Sequence, residues 1–312
     1  MHTEHRRGIT VLDAQFMKPE FAASYLIMEG DQAAFIDTGT AYSVPEFMCE
    51  LERKGMKPEQ VRYVILTHIH LDHAGGAGAL MQACPEATLI VHPRGYRHMV
   101  NPEKLIQGTY AVFGEENAKR LYGEILGISE HRVRATECPM DLDLGGRTLH
   151  LFDAPGHAKH HIGIWDEMSR SIFTGDCFGL SYRFFDTERG AFTFPTTTPV
   201  HFDPDAMHAT VELCLSFKPE WICPTHFGAI GDVPAQAERM HRLIDGFVEL
   251  VNRMGPKEDR HKKLILAMGE LLFKELQDHG VSKSYEACLP WLEKDLDLNA
   301  QGLLFWWDTR NR

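Results

Sequence analysis

The segment Thr67-His68-Ile69-His70-Leu71-Asp72-His73-Ala74-Gly75-Gly76 places three imidazoles and one carboxylate within six residues. It follows Val61-Arg62-Tyr63-Val64-Ile65-Leu66, an apolar, β-branched run that reads as a buried strand. It precedes Ala77 to Gln82, which reads as a first helical turn. The four polar side chains therefore lie on a strand-to-helix loop above a sheet edge. His68 and His70, two apart, project together from an extended segment, and Asp72 and His73 follow at the bend. Imidazole is the commonest protein ligand for metals and a carboxylate adds a hard oxygen, so this loop suits divalent cations. A solvated His-rich loop is the bland alternative. It does not explain four such residues between a buried strand and a Gly-Gly helix start.

The rest of the chain repeats that arrangement. Residues 21–29 and 33–37 read as strands joined by a turn at Gly30-Asp31. Asp37-Thr38-Gly39 ends the second, either as a plain turn or with the Asp37 carboxyl directed to the histidines. Ser43 and Pro45 open a helix over 44–54, and residues 87–91 form another short strand. This alternation argues for an α/β layered domain. Residues 92–128 are a mostly helical excursion, expected as a cap beside the site. His92, His98 and His131 match no constellation and read as surface or packing histidines.

A strand over 147–152 ends in Asp153-Ala154-Pro155-Gly156-His157, whose Pro-Gly turn puts His157 at a loop tip. Residues 162–165 and 171–174 form a hairpin closed by Gly175-Asp176, and 219–223 lead into Pro224-Thr225-His226. Four strand ends thus present polar side chains to one edge. Residues 178–205, rich in aromatics, Thr and Pro, read either as a packed loop or as the wall of a substrate pocket. Phe178, Tyr182, Arg183, Phe194 and His201 are its pocket candidates. Asp203 opens a helix to about residue 217. Beyond His226, residues 234–254, 257–279 and 282–295 read as amphipathic helices without a ligand pattern. The expected organisation is a catalytic domain at 1–255 and a C-terminal helical extension at 256–312. Phe305-Trp306-Trp307 reads first as docked on the core, with covering the site or a dimer contact as alternatives.

Charge and cysteines narrow the function classes. Lys and Arg number 32 against 44 Asp and Glu, a net charge of -12, which disfavours nucleic acid and anionic membrane as partners. The seven cysteines form no CxxC pair and suggest buried thiols in a reducing compartment. Cys177, next to Asp176, lies either near the metals or in packing. No apolar run follows the N-terminus as in a signal peptide, and none reaches the roughly 18 residues of a membrane span. The expected location is cytoplasmic.

Taken together and in order, His68-x-His70-x-Asp72-His73, Asp37-Thr38-Gly39, Pro155-Gly156-His157, Thr174-Gly175-Asp176 and Pro224-Thr225-His226-Phe227-Gly228 resemble the motifs of the metallo-β-lactamase-fold hydrolases. The resemblance spans about residues 20–230 and implies an α/β, four-layer αββα sandwich. It implies two divalent ions, one on His68, His70 and His157, the other on Asp72, His73 and His226, with Asp176 bridging and Asp37 a support rather than a ligand. A carboxylate can span ions about 3.5–4 Å apart, and water between them becomes hydroxide near neutral pH. The expected reaction is attack of that hydroxide on an ester-like bond (thioester, lactone or phosphoester), with Asp72 orienting the water or relaying its proton. A cysteine-free ligand set suits zinc, iron or manganese; the resemblance favours zinc, with iron close behind.

Within that family the chain is similar to the broad glyoxalase II-like branch. The basic residues that grip glutathione in true glyoxalase II are not matched, and Cys177-Phe178-Gly179 stands where lactonases carry a tyrosine. Persulfide dioxygenases share the His/Asp core with a single iron, but their Arg- and Cys-containing segment after Gly-Asp is absent. Flavodiiron proteins usually carry Glu where His70 stands, which favours hydrolysis. A metal-binding regulatory protein without useful turnover is the third class. The expected partner is a small-molecule substrate, with a homodimer left open.

Overall fold

Strands buried on both faces read as near-continuous apolar runs, and such strands need helices outside and a second sheet inside. The computed structural model, which describes residues 2–256 and 258–311, has this form. The first sheet contains β1 (Thr3–Glu4), β2 (Ile9–Asp13), β3 (Ala23–Glu29), β4 (Gln32–Ile36), β5 (Val61–Ile65), β6 (Thr88–Val91) and β7 (Val133–Ala135), side by side in chain order. The second contains β8 (Met140–Leu144), β9 (Arg147–Asp153), β10 (Ile162–Asp166), β11 (Ser171–Gly175) and β12 (Trp221–Pro224), also neighbour to neighbour.

Helices α1 (Val44–Arg53), α2 (Leu71–Ala74), α3 (Ala77–Ala83), α4 (Pro93–Val100), α5 (Glu103–Phe113) and α6 (Glu115–Tyr122) connect strands of the first sheet. Helices α7 (Pro204–Ser216), α8 (Val233–Met254), α9 (Arg260–Asp278) and α10 (Tyr285–Arg310) follow in the second half.

Ile9, Val11, Tyr25, Ile27 and Ile36 face Leu142, Leu149, Leu151, Ile164 and Phe173 in a core held between the sheets. A larger cluster joins each sheet's outer face to its helices. The result is the expected αββα sandwich. Direction within the sheets decides what lies at the rim. β4, β5 and β6 are parallel, so their C-terminal ends share one edge. In the second sheet β10 is antiparallel to both β9 and β11, and β11 is parallel to β12, so β9, β11 and β12 run the same way. Hydrogen bonds from Ile162 N to Thr67 O (2.8 Å) and from Ala23 N to Thr225 O (2.8 Å) tie the two sheets together at this rim.

Some local expectations change. Ser43 does not cap α1; its hydroxyl donates to Ala14 O at 2.7 Å and accepts from Thr40 N at 3.1 Å, fastening the turn before the helix instead. Asp203 does cap α7, accepting from Ala206 N at 3.1 Å. The boundary expected at residue 255 falls in the turn between α8 and α9. Leu272 of α9 and Leu292, Leu296 and Leu303 of α10 nonetheless belong to the same apolar cluster as Phe178, Tyr182 and Phe194. Trp306 and Trp307 pack partly buried against that cluster, while Phe305 is exposed. Among the described residues no helix is long and apolar enough to cross a membrane.

Candidate metal centre

Four strands of the rim, β5, β9, β11 and β12, lead into side chains of the site. β5 runs into Thr67-His68, and the next turn of chain, α2, carries Asp72 and His73. β9 leads to His157, β11 to Asp176 and β12 to His226. The turn before His157 needs Gly156, at φ +124°, because a Cβ there would meet the backbone of Met207 on α7. His68, His70, His157 and Asp176 form one group with ligand atoms within 4.8 Å of one another; Asp72, His73 and His226 form a second. Asp176 serves both. Its Oδ2 lies 3.4 Å from His157 Nε2 and 3.9 Å from His68 Nε2, while its Oδ1 lies 3.7 Å from His73 Nε2.

Hydrogen bonds behind the rings decide which nitrogens face inward. Asp37, expected at this rim, accepts from Thr67 N and Thr67 Oγ1, both at 2.8 Å. Having donated to Asp37, the Thr67 hydroxyl accepts from His68 Nδ1–H at 3.0 Å. His226 Nδ1–H donates to Phe21 O at 2.7 Å and His157 Nδ1–H to Thr196 O at 3.4 Å. A neutral imidazole carries one proton, so all three rings aim a bare Nε2 into the site. His157 Nε2 and His70 Nδ1 meet at 3.0 Å, and His68 Nε2 is buried without a hydrogen-bond partner. Bare acceptors converging on carboxylate oxygens suit cations, and the donor set fits a dinuclear metal site.

The charges agree. Burial pushes Asp37 up to about 7, despite nearby His73 and the bonds from Thr67. Burial also opposes charge on Asp72, yet His73 and His226 hold its carboxyl well below the usual range. The same balance lowers Asp176, whose neighbours are His73, His157 and His226. Burial works against charge on His73, but Asp72 and Asp176 lift it to about 9. His68 falls well below its ordinary value and His70 to about 3, through burial and then the facing imidazoles. Strongly opposed shifts within a few ångströms mark a functional centre.

All seven residues expected around the metals, and Asp37 behind them, meet at this rim. The pocket candidates are distributed differently. A cleft of about 480 Å³ opens over the centre. The 178–205 segment reaches it through Leu180, Thr196, Thr198 and Pro199. Phe178, Tyr182 and Phe194 are wholly buried behind that wall, because large rings fill the space between the segment and the C-terminal helices. Arg183 is directed elsewhere, donating to Ala229 O at 2.9 Å, and His201 stands edge-on to His160 at 5.7 Å. Cys177 is a packing residue, its thiol donating to Thr174 O at 2.8 Å.

Other contributors carried weak signals. His161 stacks on His68 at 4.9 Å and accepts from Asp176 N at 3.1 Å; Thr225 Oγ1 donates to Asp176 Oδ1 at 2.5 Å. Three histidines in His157-Ala158-Lys159-His160-His161 were the available hint. The excursion caps the cleft through His98, Lys104, Leu105 and Phe113, while α10 adds Lys294, Asp295, Leu298 and Gln301. The 294, 298, 301 spacing is that of one helix face. Tyr182 donates to Asp295 Oδ2 at 2.7 Å.

An αββα sandwich with paired His/Asp groups at the strand ends defines a metal-site protein of the two-sheet class. The description of the Metallo-beta-lactamase superfamily matches residues 17–226, well over half of the chain, and the chain belongs to that superfamily. The metallo-beta-lactamase fold-containing protein ST1585 of Sulfurisphaera tokodaii is 26% identical over 217 residues, covering 68% of this chain and 75% of its own. The acyl-coenzyme A thioesterase MBLAC2 of Homo sapiens is 26% identical over 259 residues, covering 77% and 84%. The hydroxyacylglutathione hydrolase of Cupriavidus taiwanensis is 28% identical over 163 residues, covering 51% of this chain and 50% of that protein. The crystal structure of ST1585 superposes with a TM-score of 0.66 at 22% identity, over 96% of this chain and 99% of the other.

Proposed function

We propose that the chain is a dinuclear metal-dependent hydrolase of ester-like bonds, with acyl thioesters foremost among thioesters, lactones and phosphoesters. The observation that carries this reading is Asp176, which turns one oxygen to each imidazole group at the floor of the cleft. His68, His70 and His157 would hold one ion, Asp72, His73 and His226 the other, and Asp176 both. Bound there, two divalent ions, zinc first, supply Lewis acidity and an activated water near neutral pH.

The chain's own groups supply the rest. Asp72 Oδ2 lies 3.2 Å from His73 Nε2 and 3.4 Å from His226 Nε2, which holds this carboxylate at the centre, where it would orient the attacking water. Phe16, Phe21, Leu71, Leu105 and Phe113 make an apolar wall suited to an acyl chain. Lys104 from the cap and Lys294 from α10 line the same cleft and suit an anionic leaving group. An acyl-coenzyme A thioesterase among the relatives, beside a hydroxyacylglutathione hydrolase, supports thioesters. His70 supports hydrolysis over the oxidoreductase reading.

The test is metal analysis of protein purified without added metal, followed by assays on thioesters, lactones and phosphodiesters. Two ions per chain with thioester turnover is the expected result. One iron per chain with oxygen uptake overturns the hydrolase, and two ions without turnover on any substrate favour a regulatory protein.

A further inference from the structure

A second group of ligand-type side chains lies outside the rim, where α7 packs on α8. His208 and Glu212 are four apart on α7, and His241 and Asp245 four apart on α8, so each pair shares one helix face. The pairs interlock across the helices. His208 Nε2 lies 3.1 Å from Asp245 Oδ1 and His241 Nε2 lies 2.9 Å from Glu212 Oε1. The two Nδ1 atoms face each other at 2.6 Å, with the rings 16° from parallel.

Proton counting shows what this arrangement requires. An ionised carboxylate only accepts, so both Nε2 atoms carry hydrogen. A neutral imidazole has only one, which leaves both Nδ1 atoms as bare lone pairs pointing at each other. They need a cation between them, a shared proton or a metal ion. A metal-ligating histidine characteristically donates its far N–H to a carboxylate, and both rings here meet that condition from the opposite helix. Each side chain is about a quarter exposed (27% and 26%), so water can complete a coordination shell.

We infer that His208 and His241 bind a divalent transition-metal ion through their Nδ1 atoms, at a site separate from the rim. Imidazole donors suit Zn²⁺, Ni²⁺ or Cu²⁺ rather than Mg²⁺ or Ca²⁺. Bonds of about 2.0–2.1 Å in a tetrahedral shell put the nitrogens roughly 3.3 Å apart, a small parting for two surface side chains. The ion fastens α7 to α8. α7 in turn buttresses the turn before His157, where Thr210 Oγ1 donates to Pro155 O at 2.6 Å.

Equilibrium dialysis of the metal-loaded protein against Zn²⁺ at neutral pH tests this. Wild type is expected to take up one ion beyond those at the rim. His208→Ala and His241→Gln should each lose that ion while keeping the rim's metal and the wild-type circular dichroism. Glu212→Ala should weaken the extra ion by about 10–100-fold. The inference is overturned if wild type takes up no extra ion at millimolar Zn²⁺, the pair then sharing only a proton. It is equally overturned if both histidine variants retain the ion.

Discussion

What an imidazole can do with one nitrogen depends on what holds the other. His68, His157 and His226 each have the far N–H engaged by Thr67, Thr196 O or Phe21 O, so the ring and its bare Nε2 are set before any ion arrives. His68→Ala or Asp176→Ala should therefore cut activity by at least about 100-fold and lower metal content, with circular dichroism unchanged. Full metal and rate in either variant would remove these residues from the centre. Thr67→Val, which frees the Asp37–His68 link, should weaken metal binding by about 10–100-fold in a competition assay. Asp295 makes a prediction of opposite character. Burial raises its carboxyl from 3.8 to about 6, despite the bond from Tyr182. The stability its protonated form contributes is thus whole below about pH 4 and lost as pH rises through 6. Asp295→Asn avoids that loss, so it should gain on wild type by about 1–2 kcal/mol between pH 4 and 7, read by urea unfolding at each pH.

Elements hold these residues through backbone contacts that leave no room for side chains. α10 lies so close to the 178–205 segment that a Cβ on Gly302 would overlap Thr197 O. Asn299 completes the junction, accepting from Thr197 N at 2.6 Å and donating to Pro195 O at 3.1 Å. Gly302→Val should cost at least about 1–3 kcal/mol in chemical denaturation while the rim keeps its metal, because α10 would separate from the cleft wall. The strands from β3 to β6 and from β9 to β12 were readable because apolar residues bury on both faces. β1, β2, β7 and β8 were not read, although β8 alternates strictly in Met140-Asp141-Leu142-Asp143-Leu144. The role of α10 was not readable either. Its Lys294 and Asp295 read as an ordinary charged helix face, and only docking on the segment after Asp176 makes that face part of a cleft.

At the scale of the whole molecule, the centre joins the two sheets, since His68, His70, Asp72 and His73 follow the first and His157, Asp176 and His226 the second. An ion held by both binds the native state and not the unfolded chain. Chelation should lower the Tm, and added Zn²⁺ should restore it; an unchanged Tm would mean the rim holds no ion. The sequence alone determined the donor types and their place just past strand ends; their division into two groups about Asp176 came from the family resemblance. Local chemistry suffices for the placement: a buried strand, a small or Pro residue, then a ligand. Which aromatic rings face the cleft and which helices close it were decided only by tertiary structure. Phe178, Tyr182 and Phe194 could line a pocket or fill a core, and only the distant C-terminal helices packing over them settle that choice.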